Sequence, residues 1–291
     1  MSAGRSNRIL FKSFSSGSCG NCYYIGVGRE DRISSGVLVD AGVSVRRIRQ
    51  LLAADHMGTD DFSCVLVTHD HMDHIHSLGG YWKYLRKSIY CAPQLRCSLL
   101  RGRYTLEPLH ADLRCLGEGW NQVTPDIRVR WFEVPHDATH TVGYALDADG
   151  YRIVLITDVG EMTPAAIEEA SQADTLVIEA NYDEQMLLHG PYPADLKARI
   201  RGGHGHLSNS LCAEAVSRVM HDGLTHVFLC HLSENNNTPS LAAGAVEEVL
   251  GMFGFKVSYP GSSLYERVQD GRTMMMSPLP RRTPSVLYTL Y

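Results

Sequence analysis

The sequence predicts an α+β fold in which two β-sheets face each other between two outer layers of helices. Strand patterns come first in each half of the chain, helical patterns follow them, and the order then repeats. A chain of 291 residues with 44% hydrophobic and 20% charged residues is long enough to bury a sizeable core. We therefore expect a four-layer αββα sandwich rather than one doubly wound parallel sheet.

The first half of the chain contains strand patterns followed by helical ones. Alternating or continuous apolar residues predict strands over residues 8–14, 22–27, 36–39 and 62–67. Apolar residues at helical spacing predict helices over residues 45–52 and 75–87, the second weakened by Gly79 and Gly80. The strand at residues 36–39 is followed by Asp40, and the strand at residues 62–67 is followed by a histidine-rich run. Polar side chains therefore stand directly behind both strands.

The second half of the chain repeats this order with more helix. Strand patterns cover residues 129–135, 142–146, 151–156, 175–179, 225–230 and 255–259. The Asp-Ala-Asp-Gly turn at residues 147–150 predicts a hairpin between the second and third of these strands. Helices are predicted behind the Thr-Pro pairs at residues 163–164 and 238–239, and between residues 183 and 220.

One domain is predicted over residues 1–270, followed by a C-terminal extension of unknown role over residues 271–291. The extension shows no clear period, and we expect it to be either loose or docked. No apolar run approaches the roughly 18–20 residues that a membrane span requires. Eight scattered cysteines without a preceding secretory signal fit reduced thiols and a cytoplasmic location. Cys19 and Cys22 have no matching second pair, so a turn is favoured there over a zinc half-site.

The charge balance bears on the partners of the protein. A formal net charge of −5 argues against binding of nucleic acid through bulk electrostatics but leaves room for a local basic groove. Residues 81–103 contain no acidic residue and six basic ones, which are Lys83, Arg86, Lys87, Arg96, Arg101 and Arg103. This stretch is interpreted either as the path of a substrate strand or as an ordinary solvated surface.

The densest group of metal-binding side chains lies directly behind the strand pattern at residues 62–67. Three imidazoles and two carboxylates occupy six positions there: His69, Asp70, His71, Asp73 and His74. Histidine and aspartate both bind zinc and manganese. In extended chain, alternate side chains share one side, so several of these groups converge. They are too many for one tetrahedral ion and about half of what two ions need, so the rest of the chain should supply the others.

Further candidate ligands stand at the ends of other strands. Apart from His69, an apolar strand is followed by a metal-binding side chain at His136, at Asp158 and at His231. A single such histidine is usually structural, but four ends of this kind in one chain indicate a site gathered from several strands. His76, His140 and His204 lie beside the motifs but off their pattern, and we expect surface or supporting roles for them.

The sequence resembles the metallo-β-lactamase superfamily. Residues 68–74, Thr-His-Asp-His-Met-Asp-His, match its HxHxDH signature, and Asp40, His136, Asp158 and His231 match its other motif positions in order. The resemblance narrows to the YycJ/WalJ-like subfamily through the segments at residues 15–21, 134–138, 205–209 and 230–236. It covers roughly residues 8 to 260.

The resemblance implies two divalent metal ions, with zinc favoured and manganese as the alternative. His69, His71 and His136 would hold one ion, and Asp73, His74 and His231 the second. Asp158 would bridge the ions. Asp40 would steady the loop at residues 68–74, called the histidine loop below, through hydrogen bonds. Lactam-hydrolysing enzymes of this fold typically have a cysteine at the position of Asp158, so the aspartate resembles the phosphodiesterase and thioesterase branches.

Candidate catalytic and substrate-binding residues follow from the same resemblance. Asp73 and His206 are the candidates for direct catalysis, with His206 binding the scissile phosphate or protonating the leaving oxygen. The alternative for His206 is a structural histidine that packs against or caps the following helix. A helix opens at this point, and Ser208 or Asn209 can cap it. Candidate substrate contacts are Ser208, Asn209, Ser233 and Asn235. Tyr182 departs from the pattern, because members of the subfamily often carry a histidine there.

The resulting functional hypothesis is a dinuclear metal-dependent phosphodiesterase acting on nucleic acid. The subfamily suggests a 5′-to-3′ DNA exonuclease in which a metal-bridging hydroxide attacks phosphorus, with DNA preferred over RNA. One alternative is a glyoxalase-type thioesterase or another small-ester hydrolase with the same metals. A second is a regulator that binds nucleotide or nucleic acid without cleavage, against which seven intact ligand positions argue.

Overall fold

A computed structural model of the chain describes residues 7–29, 32–102, 112–260 and 272–290. In these residues the chain forms two mixed β-sheets, one of seven and one of eight strands, with helices packed outside both. The predicted four-layer sandwich is therefore confirmed. Strands and helices are numbered below in chain order.

The first sheet combines an antiparallel and a parallel part. Its strands are β1 (Asn7–Gly17), β2 (Gly20–Arg29), β3 (Arg32–Val39), β4 (Cys64–Val67), β5 (Ser88–Cys91), β6 (Leu113–Cys115) and β15 (Tyr288–Leu290). Their order is β15-β1-β2-β3-β4-β5-β6. Pairing is antiparallel from β15 to β3 and parallel from β3 to β6. The carboxyl ends of β3 and β4 therefore lie side by side.

The second sheet also combines a parallel and an antiparallel part. Its strands are β7 (Asn121–Gln122), β8 (Ile127–Glu133), β9 (Val142–Ala148), β10 (Tyr151–Ile156), β11 (Thr175–Glu179), β12 (His226–Cys230), β13 (Lys256–Ser258) and β14 (Thr273–Pro278), in the order β13-β14-β12-β11-β10-β9-β8-β7. Strands β10, β11 and β12 are parallel neighbours. The predicted hairpin joins β9 to β10, and both turn residues, Asp149 and Gly150, have positive φ as a type I′ turn requires.

The described helices are capped where the sequence indicates. They are α1 (Val45–Ala54), α2 (Met72–Ile75), α3 (Leu78–Leu85), α4 (Arg96–Arg101), α5 (Pro164–Ala170), α6 (Glu184–His189), α7 (Ala194–Arg201), α8 (Asn209–Val219) and α9 (Pro239–Met252). The hydroxyls of Thr163, Ser208 and Thr238 each accept a backbone N–H of the first turn, at α5, α8 and α9. The predicted helix at residues 75–87 is two helices, broken at His76 and Ser77. In the part of the chain that the structure describes, no helix is both long and apolar enough to cross a membrane.

The apolar core is divided among three layers. Between the sheets, Phe11 of β1 stacks on Phe228 of β12 with ring centroids 4.5 Å apart. Outside the first sheet, α1, α3 and α4 cover the other faces of β2 to β5. Outside the second sheet, α5, α8 and α9 cover β10 to β12 and β14. Both sheets are thus fixed from two sides, which leaves the strand ends to carry the polar groups.

The C-terminal segment is docked rather than loose over its described residues, 272–290. Strand β14 pairs in parallel with β12 and β13, and β15 pairs with β1 in the other sheet. Between them, Ser285 accepts the backbone N–H of Ser13 and donates its own N–H to the carbonyl of Ser13. The predicted boundary near residue 270 stays a prediction. Residues 261–271, on which it falls, lie outside the described residues.

Candidate metal centre

The polar groups at the strand ends converge on one site. Asp40 follows β3 and His69 follows β4 in the first sheet, while Asp158 follows β10 and His231 follows β12 in the second. Between the last two, Glu179 is the final residue of β11. Because neighbouring parallel strands end at the same edge, the two sheets present their side chains to a common cleft.

Unusual backbone conformations turn three of these side chains into the cleft. Asp40, Asp158 and His231 have φ values of 65°, 51° and 51°, in the left-handed region that non-glycine residues rarely adopt. Asp40 and His231 are the first residues after their strands, and Asp158 is the second residue after β10. The fold therefore accepts local backbone strain at the strand ends, which is typical of residues placed for function.

The histidine loop brings the remaining groups together. Residue 71 is the N-cap of α2, so Asp73 and His74 lie in its first turn, while His69 and His71 precede it. The ring centroid of His69 lies 4.0 Å from that of His74 and 4.8 Å from that of His71. The ring of His136, from the other sheet, lies 5.2 Å from His69.

The seven predicted ligand side chains fall into two sets of three around one carboxylate. The potential ligand atoms of His69, His71 and His136 lie within 4.8 Å of one another, and so do those of Asp73, His74 and His231. Asp158 lies between the sets: its carboxylate oxygens are 3.2 Å from His74 Nε2 and 3.8 Å from His136 Nε2. The structure thus brings together every residue that the sequence assigned to metal binding.

Asp40 orients the loop by accepting three hydrogen bonds. One carboxylate oxygen accepts the backbone N–H of Thr68 at 2.9 Å, and the other accepts the Thr68 hydroxyl at 2.8 Å and His74 Nδ1 at 2.7 Å. Donation from Nδ1 leaves His74 Nε2 directed toward Asp158. This is the supporting geometry that the resemblance implies for Asp40.

The sequence reasoning missed Glu179, although it satisfies the rule of an apolar strand that ends in a metal-binding side chain. Its carboxylate is fully buried, and one oxygen interacts with His206 Nδ1 at 2.8 Å and His231 Nδ1 at 2.9 Å. The other oxygen accepts the backbone N–H groups of Val159 and Leu207. Glu179 therefore fixes the orientation of two histidines of the cleft.

Asn21 is a second residue that the sequence reasoning missed. It lies on β2, directly behind the turn between β1 and β2, and its side-chain amide donates to Asp73 Oδ2 at 3.1 Å. From the end of β1, the Ser16 hydroxyl accepts the backbone N–H of His231 at 2.9 Å. The predicted turn segment at residues 15–21 thus supports the cleft. Cys22, which follows this segment, is buried, and no described cysteine belongs to a potential metal cluster.

Some of the proposed catalytic and substrate residues lie at the cleft, and others are buried away from it. His206 lines the cleft with 23% of its side chain exposed, and its ring lies 4.9 Å from that of His136. Ser233 also lines the cleft, and Asn235 donates to the hydroxyl of Tyr192 at its rim.

Ser208 and Asn209 do not line the cleft, and their assignment to substrate binding stays a prediction. Both side chains are buried: Ser208 caps α8, and Asn209 forms a reciprocal amide pair with Asn237. Tyr182 is likewise buried and forms an isolated backbone bridge with Ser208.

The cleft has a volume of about 300 Å³ and is bounded on one side by α7. Arg199 of α7 forms an ion pair with Asp137, which lies beside His136. None of the described residues of the basic stretch at 81–103 lines this cleft, and Arg103 lies outside the described residues. Since β5 runs parallel to β4, Arg86 and Lys87 precede it at the end of the sheet opposite to the site. Arg86 and Lys87 therefore do not lie at the edge that carries the cleft, and a substrate path along residues 81–103 stays a prediction.

Burial and neighbouring charges set the protonation of the histidines. Burial, followed by the nearby His74, lowers the pKa of His69 well below its usual value, and burial also lowers the pKa of His136. In the other set burial opposes protonation of His74, but Asp158 and Asp40 outweigh it and raise the pKa of His74 to about 10. A metal ion placed between the sets would interact with the same carboxylates that hold this proton.

The donor set fits a metal centre. His69 Nε2 and His231 Nε2 are buried and have no hydrogen-bond partner among the described residues. A buried nitrogen without a partner is costly unless a ligand satisfies it. Imidazole nitrogens together with carboxylates are the donors that zinc and manganese accept.

The two-sheet fold with this cluster at its strand ends defines a metal-dependent hydrolase. The family model described as a beta-lactamase superfamily domain matches residues 36–231. Exodeoxyribonuclease YycJ of Bacillus anthracis is 32% identical over 250 residues, 86% of this chain and 92% of that protein. Exodeoxyribonuclease WalJ of Streptococcus pneumoniae is 32% identical over 232 residues, 80% of this chain and 84% of that protein.

A solved structure shows the same fold. The metallo-beta-lactamase fold protein YhfI of Bacillus subtilis aligns with a TM-score of 0.64 at 13% identity, over 97% of this chain and 99% of that one. The chain belongs to the metallo-β-lactamase superfamily.

Proposed function

We propose that the chain is a dinuclear metal-dependent phosphodiesterase that degrades DNA from the 5′ end. The observation that carries the proposal is the carboxylate of Asp158 between two sets of three ligand side chains. An aspartate at this position matches the phosphodiesterase and thioesterase branches rather than the lactamases. The names of the relatives in Bacillus anthracis and Streptococcus pneumoniae support DNA as the substrate.

The residues that would hold the two ions are His69, His71 and His136 for one, Asp73, His74 and His231 for the other, and Asp158 for both. Zinc is favoured and manganese is the alternative, because histidine and carboxylate ligands suit both. Two such ions supply Lewis-acid activation of water and of the phosphoryl oxygens. The chain contributes the orientation of each ligand, through Asp40 for His74 and through Glu179 for His231.

In the proposed reaction, His206 delivers a proton to the leaving oxygen. Its Nδ1 interacts with Glu179, which leaves Nε2 for the substrate. Its partial exposure in the cleft allows this contact, whereas the neighbouring His231 is buried. Asp73 reaches the same cleft and is held by the amide of Asn21. Ser233 and the pair of Asn235 with Tyr192 are the remaining candidates for contacts with the substrate.

One substrate panel tests the proposal. Purified metal-loaded protein is offered 5′-phosphorylated single-stranded DNA, RNA, bis(p-nitrophenyl) phosphate and a glutathione thioester. We expect release of mononucleotides from the 5′ end of DNA, and loss of this activity in Asp158→Ala. His206→Ala should retain its metal and lose about 10²–10⁴-fold in kcat, the usual contribution of a general acid.

The same panel discriminates the alternatives. Cleavage of the thioester with inert nucleic acids would contradict the proposal in favour of a thioesterase. Full metal occupancy without turnover of any substrate would favour a protein that only binds nucleic acid or nucleotide. Release of mononucleotides from the 3′ end would support a nuclease and contradict the proposed 5′-to-3′ direction.

A further inference from the structure

A second cavity lies beside the metal cleft, on the other side of the turn between β1 and β2. It has a volume of about 360 Å³, and Ser44, Arg47, His76 and Arg282 contribute to its wall. The turn separates the two spaces: Ser18 lines the metal cleft, and the next residue, Cys19, lines this cavity. We call it the basic cavity.

The charge of the basic cavity is positive. No aspartate or glutamate is among the described residues that line it. Arg47 lies in the first turn of α1, which contains no acidic residue, and forms no ion pair with a described residue. Arg282 pairs with Glu234 at 2.6 Å, but these side chains are 62% and 52% exposed. Such an exposed pair contributes little stability, so Arg282 can turn to a stronger anionic partner.

The basic cavity and the metal cleft share structural elements. Asp73 lines the cleft and His76 lines the cavity, and both belong to the α2 turn. Three residues of helix correspond to a rise of about 4.5 Å, so the two spaces are close neighbours. In the C-terminal segment, Arg281 donates to the carbonyl of Ser233, a residue of the cleft, while Arg282 lines the cavity.

We propose that the basic cavity binds a backbone phosphate of a nucleic-acid strand whose neighbouring phosphodiester lies at the metal centre. Arginine is the side chain best suited to phosphate, because its planar fork donates two parallel hydrogen bonds. Two arginines and a histidine beside a di-metal cleft fit a ligand that carries negative charges at regular intervals along a chain. This inference rests on the proposed function, since it assigns a second contact to the same substrate.

Binding of a nuclease-resistant strand tests the basic cavity. Metal-loaded protein is titrated with a fluorescently labelled phosphorothioate single strand across a salt series. For Arg47→Ala combined with Arg282→Ala, we expect about a five- to tenfold loss of affinity. The slope of log affinity against log salt should fall by about 0.7 for each lost phosphate contact.

Two further variants serve as controls. Arg49→Ala removes an exposed arginine of the same helix that does not line the cavity, and it should bind as the wild type does. Arg47→Lys keeps the charge and should retain most of the salt dependence. Unchanged affinity and slope in the double variant would overturn the inference. Equal Arg47-dependent binding of thymidine 5′-monophosphate would also overturn it, in favour of a free-phosphate site.

Failure of this inference is distinguishable from failure of the proposed function. Normal DNA cleavage together with strand binding that does not depend on Arg47 and Arg282 contradicts only the inference about the basic cavity. Arginine-dependent binding without cleavage of DNA contradicts the exonuclease and supports the cavity. A wild type that neither binds nor cleaves the strand contradicts both.

Discussion

At the scale of single residues, Glu179 shows how a buried carboxylate organises two histidines that arise from different segments. One of its oxygens interacts with His206 and His231, while the other is satisfied by two backbone N–H groups. All of its accepting capacity is therefore used within the protein. Since a hydrogen bond at Nδ1 directs Nε2 of the same ring, Glu179 determines which nitrogen His231 presents to the cleft.

Glu179→Gln should weaken metal binding without unfolding the protein. The amide keeps the shape of the side chain but cannot accept from all of these donors, so the orientation of His231 is lost. Partners of this kind usually contribute 10- to 100-fold to metal affinity, and we expect a loss of about that size. The measurement is a zinc titration against a competing chelator.

The control for this prediction is Glu169→Gln. Glu169 is also buried, but it pairs with Arg130 on the outer face of the second sheet. It should leave the affinity for zinc unchanged. Equal affinities for the wild type and Glu179→Gln would remove Glu179 from the metal centre.

The sequence predicted the seven side chains that converge on the cleft because their pattern is local and matches the motifs of the superfamily. His69, His71, Asp73 and His74 lie in one loop, and the three distant positions each follow an apolar strand. Glu179 was missed because its importance depends on the order of strands, which places β11 between β10 and β12. The motif at Ser208 predicts a helix cap and a phosphate contact equally well, and the structure shows the hydroxyl as the cap of α8 and in a hydrogen bond with Ser210.

At the scale of elements, the C-terminal segment joins the two sheets. Strand β14 extends the second sheet, and β15 reaches β1 at the edge of the first. Three consecutive methionines at residues 274–276 gave no alternation from which a strand could be predicted. The pairing of β15 with β1 joins residues that lie at opposite ends of the chain, so no local pattern reveals it. The same segment carries Arg281 and Arg282 to the rim of the site.

Tyr288→Ala should destabilise the whole fold although it lies near the end of the chain. The ring is 5% exposed and packs against Phe228 with centroids 4.8 Å apart, and its hydroxyl lies 3.2 Å from Ser277 Oγ. Removing a buried aromatic ring typically costs about 3–5 kcal/mol. Denaturant unfolding at constant metal concentration measures the free energy of unfolding.

Two variants separate the contributions of Tyr288. Tyr288→Phe removes only the hydroxyl and should cost about 1 kcal/mol. Val286→Ala changes a side chain that is 61% exposed and should alter stability by less than about 0.5 kcal/mol. A loss below 1 kcal/mol in Tyr288→Ala would show that the C-terminal segment is dispensable for the fold.

At the scale of the whole molecule, strand β12 connects the candidate metal centre with a buried titratable group at its other end. The residues with positive φ that follow the strands line the candidate metal centre, whereas the buried His226 lies at the other end of β12. His226 begins β12, five residues before His231, which corresponds to about 16 Å along an extended strand. Because His226 lies this far from the candidate metal centre, its titration reports on the stability of the fold and not on metal binding.

Burial lowers the pKa of His226 to about 4, from an ordinary value of 6.5. Its hydrogen-bonding neighbours are the hydroxyls of Thr225 and Tyr151, which carry no charge that could offset the burial. The native state therefore holds His226 neutral, while the unfolded chain takes up a proton below about pH 6.5. This contribution to stability is present above that pH and is lost as the pH falls toward about 4.

We expect the wild type to lose about 2 kcal/mol more stability than His226→Gln between about pH 7.5 and about pH 5. The comparison is made by denaturant unfolding at both pH values, so that the carboxylates and metal ligands common to both proteins cancel. His226→Gln should be the less stable protein at neutral pH, because it loses a well-packed ring, yet its stability should depend less steeply on pH. Parallel pH profiles for the two proteins would show that His226 is protonated equally in the native and unfolded states. In that case the acid sensitivity of the fold would have to originate at other titratable groups.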